Sequence, residues 1–193
     1  MATATDRLYF TDDDEANALL ARDPLALLVG LALDQQVTVQ KAFAGPRELE
    51  RRLGRFDAAD IAGMGPGELE RVFAERPAIH RFPGSMAKRV QELCRTIVSD
   101  YGGRAERVWT EAADGADLER RLRGLPGFGD MKVRTALAIL AKRFGVRPEG
   151  IDDVLPQHRT LGDVDSPEAL AEYQAAKRAH RETQRRLTQN NPT

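Results

Sequence analysis

Two helix-spaced apolar runs in this chain meet at five residues that neither helix can absorb. Leu118 and Leu122 stand four apart in Leu118-Glu119-Arg120-Arg121-Leu122-Arg123, a helical spacing. Ala136, Leu137, Ile139, Leu140 and Phe144 form a second stripe, closed by Gly145 at a C-cap position. Between them lies Leu125-Pro126-Gly127-Phe128-Gly129. Pro126 cannot continue the first helix, and the two glycines permit a turn sharp enough to expose its own backbone. An exposed turn feeding a helix N-terminus aims several N–H groups at one spot, which suits a phosphate oxygen. Lys132 and Arg134 follow in the first turns of the second helix, beside that spot. Taken alone, the pattern also fits a plain helical hairpin with a glycine turn.

The rest of the chain reads as helices too. Thr11 and Asp12 to Asp14 offer caps for a short helix, Glu15 to Arg22. Asp23 and Pro24 then supply the N-cap and first residue of a longer one. Leu25, Leu27, Leu28, Leu31 and Leu33 make that helix apolar nearly all round, so it should be buried. It stops at Asp34-Gln35-Gln36, polar groups that must reach solvent, a partner or a ligand. Further helices are expected over Gln40 to Leu53 with a break near Gly45-Pro46, Ala58 to Ala62, Glu68 to Glu75, and Met86 to Asp100 capped by Ser85. Gly63 to Gly67 reads as a turn, and Asp117 to Arg123 as the helix that enters the hairpin. A loop follows Gly145, and Ser166-Pro167-Glu168 opens a last helix to about Leu187 with a frayed tail over 188–193. Strand alternation, internal repeats and low-complexity linkers are not seen. The fold class is all-α.

Composition narrows the function. The 193 residues suffice for one good core or two small lobes. Cys94 is the single cysteine, so an internal disulfide is excluded and a reducing, cytoplasmic setting is expected. The longest apolar run, around Leu25 to Leu33, is too short for a membrane span, and Met1 to Asp6 does not resemble a secretory signal. The formal net charge is -1, yet Arg76 to Arg147 holds 15 Lys/Arg against 8 Asp/Glu. A basic middle flanked by acidic ends can bind a polyanion on one face. His80 and Cys94 read as structural, since nothing at metal-ligand spacing stands near the histidine.

Three stretches resemble one family. Leu125 to Gly129 looks like the helix-hairpin-helix element of the base-excision DNA glycosylases (HhH-GPD). Leu31-Ala32-Leu33-Asp34-Gln35-Gln36-Val37 resembles their helix end with paired glutamines. Phe82-Pro83-Gly84-Ser85-Met86-Ala87-Lys88-Arg89-Val90, running to Gly103, resembles the segment before their hairpin. The resemblance implies two helical lobes with a DNA cleft between them, divided here as residues 1–30 plus 146–193 and residues 31–145. It also implies double-stranded DNA as partner, met by Gly127, Phe128, Gly129, Lys132, Arg134 and Lys88, with Gln35 and Gln36 at the cleft. The lone cysteine excludes the iron–sulfur cluster of some relatives. The resemblance allows a monovalent cation at the hairpin, and otherwise no metal or cofactor is expected. A monomer is the default.

Cleaving an N-glycosidic bond leaves a cationic, oxocarbenium-like sugar that a carboxylate can stabilise. In the family that carboxylate is an Asp about twenty residues past the hairpin. Here Asp152 is the first choice, with Asp153 and Asp34 as alternatives. Relatives that also cut the strand carry a lysine two residues after the second hairpin glycine. Met131 stands there, with Lys132 one place later, about 100° further round the helix and so facing a phosphate or solvent. A monofunctional hydrolase follows, of the type of 3-methyladenine glycosylase II, with a lean toward alkylated bases and with Phe43, Phe82 and Trp109 as stacking candidates. The alternatives are an inactive DNA-binding sensor of damaged or distorted DNA and a helical protein adaptor.

Overall fold

A computed structural model describes residues 5–65 and 67–189; residues 1–4, Pro66 in the expected turn, and 190–193 of the expected tail lie outside it. Among the described residues the regular structure is entirely helical: α1 (Asp14–Arg22), α2 (Pro24–Leu33), α3 (Val39–Leu53), α4 (Ala58–Gly63), α5 (Glu68–Ala74), α6 (Pro83–Tyr101), α7 (Arg107–Thr110), α8 (Gly115–Arg123), α9 (Asp130–Arg143), α10 (Ile151–Val154), a 3₁₀ turn (Leu161–Asp163) and α11 (Pro167–Gln189). The all-α expectation holds. None of these helices alone is long and apolar enough to cross a membrane.

The centre is α2. Asp23 caps it by accepting from the Leu25 and Ala26 amides at 2.8 and 3.2 Å, and Pro24 opens its first turn. Leu25 through Leu33 are all buried, because α3, α1, α6 and α9 surround the helix. α3 does not break at Gly45-Pro46 as expected. Pro46 forfeits the bond to the Ala42 carbonyl, but Gly45 lets α3 close on α2: a Cβ there would lie 2.5 Å from Leu33 Cδ1. Tight packing outweighs the local breaker.

Two other boundaries move. α6 begins at Pro83, because proline fits the first helical position, and Ser85 lies inside its first turn. α8 begins at Gly115, where the Asp114 carboxylate accepts from the Asp117 amide at 2.7 Å. α10 forms a short helix within the expected loop.

The packing follows the chain. α4 and α5 lie on α6; α2 lies on α3 and α6; α8, α10 and the 3₁₀ turn lie on α9. α2 touches both groups. The boundary expected between residues 30 and 31 falls inside this unbroken helix.

Candidate nucleic-acid interface

The hairpin is held from below and bare above. The Gly124 amide closes α8 on the Arg120 carbonyl, Leu125 N–H reaches Leu122, and Phe128 N–H reaches Leu125 at 3.1 Å. Leu125 and Phe128 are 3% and 4% exposed, two apolar anchors that leave the main chain of the glycines and the half-buried Pro126 ring at the tip. Phe128 can therefore meet a partner through its backbone alone. Gly127 takes φ +80°, a left-handed conformation that suits glycine. Gly129 is the N-cap of α9 without any side-chain cap, so first-turn amides of that helix face outward. Arg134 and Lys88 are exposed, as a phosphate contact requires.

Beside the tip lies an open groove of about 650 Å³, walled by the hairpin and by Gln35, Arg89, Arg123, Met131 and Lys132. Lys132 overturns the expectation that it faces phosphate or solvent. Its Nζ crosses the groove and donates to the Ala32 carbonyl at 2.7 Å. The end of α2 offers unpaired carbonyls at the negative pole of the helix, and these draw the ammonium inward. The residue turned outward is Met131, which is 67% exposed. Burial, reinforced by nearby Arg89 and partly offset by Asp34, brings the Lys132 amine down to about 8.

The paired glutamines form a strained, clamped turn. Asp34 N–H bonds back to Gly30 and Leu31, and Gln35 N–H to Leu33 at 2.7 Å. Gln36 is exposed and sits at φ +57°, a left-handed geometry that costs a non-glycine residue about 1–2 kcal/mol. His80 holds this turn from inside the protein. Its Nε2 lies 3.2 Å from the Leu33 carbonyl and 3.0 Å from that of Gln35, while Nδ1 accepts from Phe82 N–H. Only the neutral Nε2–H tautomer makes every one of these bonds.

Burial lowers the His80 pKa. A histidine depressed in the folded state contributes its full stability above the unfolded value, about 6.5, and loses it as the unfolded chain takes up the proton below that pH. Urea midpoints should therefore fall between pH 7 and pH 5, and His80→Gln should remove part of that slope. An unchanged slope in the variant would exclude His80 as its source.

Arg89 was not singled out by the sequence. On α6, one residue past exposed Lys88, it turns inward and donates to Gln35 Oε1. Its aliphatic stem lies against the turn, since a Cβ on Gly127 would come 2.5 Å from Arg89 Cδ. Neighbouring basic residues on one polar face give no signal for which of them a distant turn will receive.

Asp152 and Asp153 are not brought to the groove. Both are exposed on α10, and Asp152 pairs with Arg147. The segment before α10 is tied to the start of α8 by Gly115 N–H on the Glu149 carbonyl at 2.7 Å. The nine-residue α8 puts about 13 Å between its start and the hairpin. After Gly145 the chain crosses the start of α8 instead of returning along α9 to the turn. Asp130 lines the groove at its rim, paired with Arg123. Asp34, the C-cap of α2, precedes the lining Gln35 in the chain and lies close enough to Lys132 to act on its amine.

Among the aromatic candidates, Phe43 is core, Trp109 is half-buried, and Phe82 is 40% exposed with the Arg81 guanidinium 5.3 Å from its ring. Cys94 is buried and its thiol is pushed up to about 12, which makes it inert as a nucleophile. Among the described residues no group of three or more His, Cys, Asp or Glu is placed to hold a metal.

A family model described as "HhH-GPD superfamily base excision DNA repair protein" matches residues 29–191. Comparison with curated proteins and with solved structures gave no match.

Proposed function

This chain belongs to the HhH-GPD superfamily of base excision DNA repair proteins, and from that premise we propose that it hydrolyses the N-glycosidic bond of a damaged or modified base extruded from duplex DNA. The observation that carries the reading is the adjacency of a bare main-chain turn and a groove lined by Gln35, Arg89 and Lys132. The turn grips one sugar-phosphate link through backbone N–H groups, and the groove receives the rotated nucleotide. Asp34 is the carboxylate assigned to the cationic sugar and the attacking water. Water as nucleophile leaves an abasic site, so the enzyme acts as a monofunctional glycosylase, a monomer on double-stranded DNA in the cytoplasm, without a cofactor.

One observation favours a second reading, in which the strand is cut as well. Lys132 lines the groove with its amine half-buried on the Ala32 carbonyl, and burial favours the uncharged form more than for an ordinary lysine. An uncharged amine in the groove can attack C1′ as the bond to the base breaks; the base leaves with a proton, and opening of the C1′–O4′ bond, with a proton passing from nitrogen to O4′, gives the imine.

Duplexes carrying single modified bases decide between these. Abasic sites revealed only by alkali, without a species trapped by borohydride, support hydrolysis by water. A trapped protein–DNA adduct that disappears in Lys132→Ala supports the second reading. Asp34→Asn should lower excision about 100-fold or more, within the range for removing one transition-state electrostatic partner. Asp152→Asn and Asp153→Asn should each leave excision within about twofold. Retarded mobility without cleavage of any lesion would mark a DNA-binding sensor instead.

A further inference from the structure

Gln35, Arg89 and Lys132 bring hydrogen-bond donors into a groove whose buried lining residues are Leu125 and Phe128, and the fold fixes which way the Gln35 amide points. A guanidinium has no acceptor, so the bond from Arg89 must take Gln35 Oε1 and turn the two Nε2 hydrogens away from it. The backbone of Gln35 is held on both sides, its N–H by the Leu33 carbonyl at 2.7 Å and its carbonyl by His80 Nε2 at 3.0 Å. Arg89 in turn is braced by the hairpin at Gly127. The donor array is thus set before anything binds.

Charge points the same way. Arg89 and Lys132 both line the groove and are half-buried. Around Lys132 the neighbouring Arg89 acts more strongly than the opposing Asp34. At the exposed rim, Arg123 is already matched by Glu119 and Asp130.

We propose that this groove selects an uncharged base whose free edge carries carbonyl acceptors, a deaminated or oxidised base such as uracil or hypoxanthine, and discriminates against cationic N-alkylated purines. The proposal rests on the glycosylase reading in one respect only, that the extruded base enters this groove. A carbonyl oxygen satisfies the Gln35 amide and the Lys132 ammonium together. A base presenting an amino group there sets donor against donor and leaves the half-buried Gln35 amide without an acceptor. A purine carrying a fixed positive charge adds repulsion from Arg89 and Lys132. Undamaged guanine and thymine also carry carbonyls, but they are held by full pairing and stacking, whereas mispaired bases leave the duplex at lower cost.

The test is equilibrium binding of the full chain to duplexes of one sequence, each with a single 2′-fluoroarabino nucleotide that resists hydrolysis. The base there is uracil, hypoxanthine, 7-methylguanine or its undamaged counterpart. Uracil or hypoxanthine should gain about tenfold or more over the undamaged duplex, and 7-methylguanine should gain less than either. In Gln35→Glu the side chain offers Arg89 and the base only acceptors, so the gain, taken as the ratio of lesion to undamaged affinity in the same variant, should vanish. An equal or larger gain for 7-methylguanine, no gain for any lesion, or an unchanged preference in Gln35→Glu overturns the proposal. Cleavage of the corresponding unfluorinated duplexes is scored separately. Preference without cleavage removes the hydrolytic function and keeps the selectivity, whereas cleavage with the reverse preference does the opposite.

Discussion

Arg52→Ala should cost about 1–3 kcal/mol of folding stability, the range for removing one partner of a hydrogen-bonded set. The Arg52 side chain is 3% exposed at the end of α3. It donates to the carbonyls of Val72 at 2.6 Å, Glu75 at 2.9 Å and Pro77 at 2.7 Å, and to Glu48 Oε1 at 2.6 Å. Three of these acceptors belong to the end of α5 and the loop after it. Without Arg52 the exposed carbonyls of Glu75 and Pro77 turn to water, and the part-buried Val72 carbonyl loses its side-chain partner. That loop runs directly to His80, so the loss should also loosen the clamp on the Gln35 turn. Denaturant midpoints read the effect, and at this chain length each kcal/mol corresponds to about 2–4 °C in Tm. Arg52→Lys should recover little, because one ammonium cannot reach carbonyls on three sides of a planar fork. A loss below about 1 kcal/mol in Arg52→Ala would show the network to be ornamental.

The second large effect belongs to Gly127→Ala. At φ +80° the new methyl is strained by about 1–2 kcal/mol, and it meets Arg89 Cδ at 2.5 Å. Arg89 must move, taking its hold on Gln35 with it. Leu125 and Phe128 remain buried, so the two helices should keep their place. Affinity for duplex DNA should fall about tenfold or more, and equally on all sequences, because the turn meets backbone and not bases. Anisotropy titrations at several salt concentrations measure it. Wild-type binding by the variant would remove the hairpin from the interface. Gly129→Ala should do less: φ is -81° there, and no atom lies within 4 Å of an added Cβ. The paired glycines look equivalent in the sequence, but only one is required by its backbone conformation.

That contrast shows how far local chemistry reaches. Pro126 with its glycines specifies a stop and a tight turn, Asp23-Pro24 specifies a helix start, and an all-leucine face specifies burial of α2, because each effect acts within a few residues. The hairpin and the abrupt polar end of α2 were therefore legible as candidate sites. The direction of Lys132 was not, since its carbonyl partner at Ala32 lies 100 residues away in the chain. The same holds for Arg89, whose inward turn depends on a hairpin and a glutamine brought to it by other helices. Asp152 matched an expected spacing, yet the path of the chain after α9 carried it to the far end of the helix pair. Spacing along a chain sets which face of a helix a residue occupies. Which partner waits opposite that face is decided only when the helices pack.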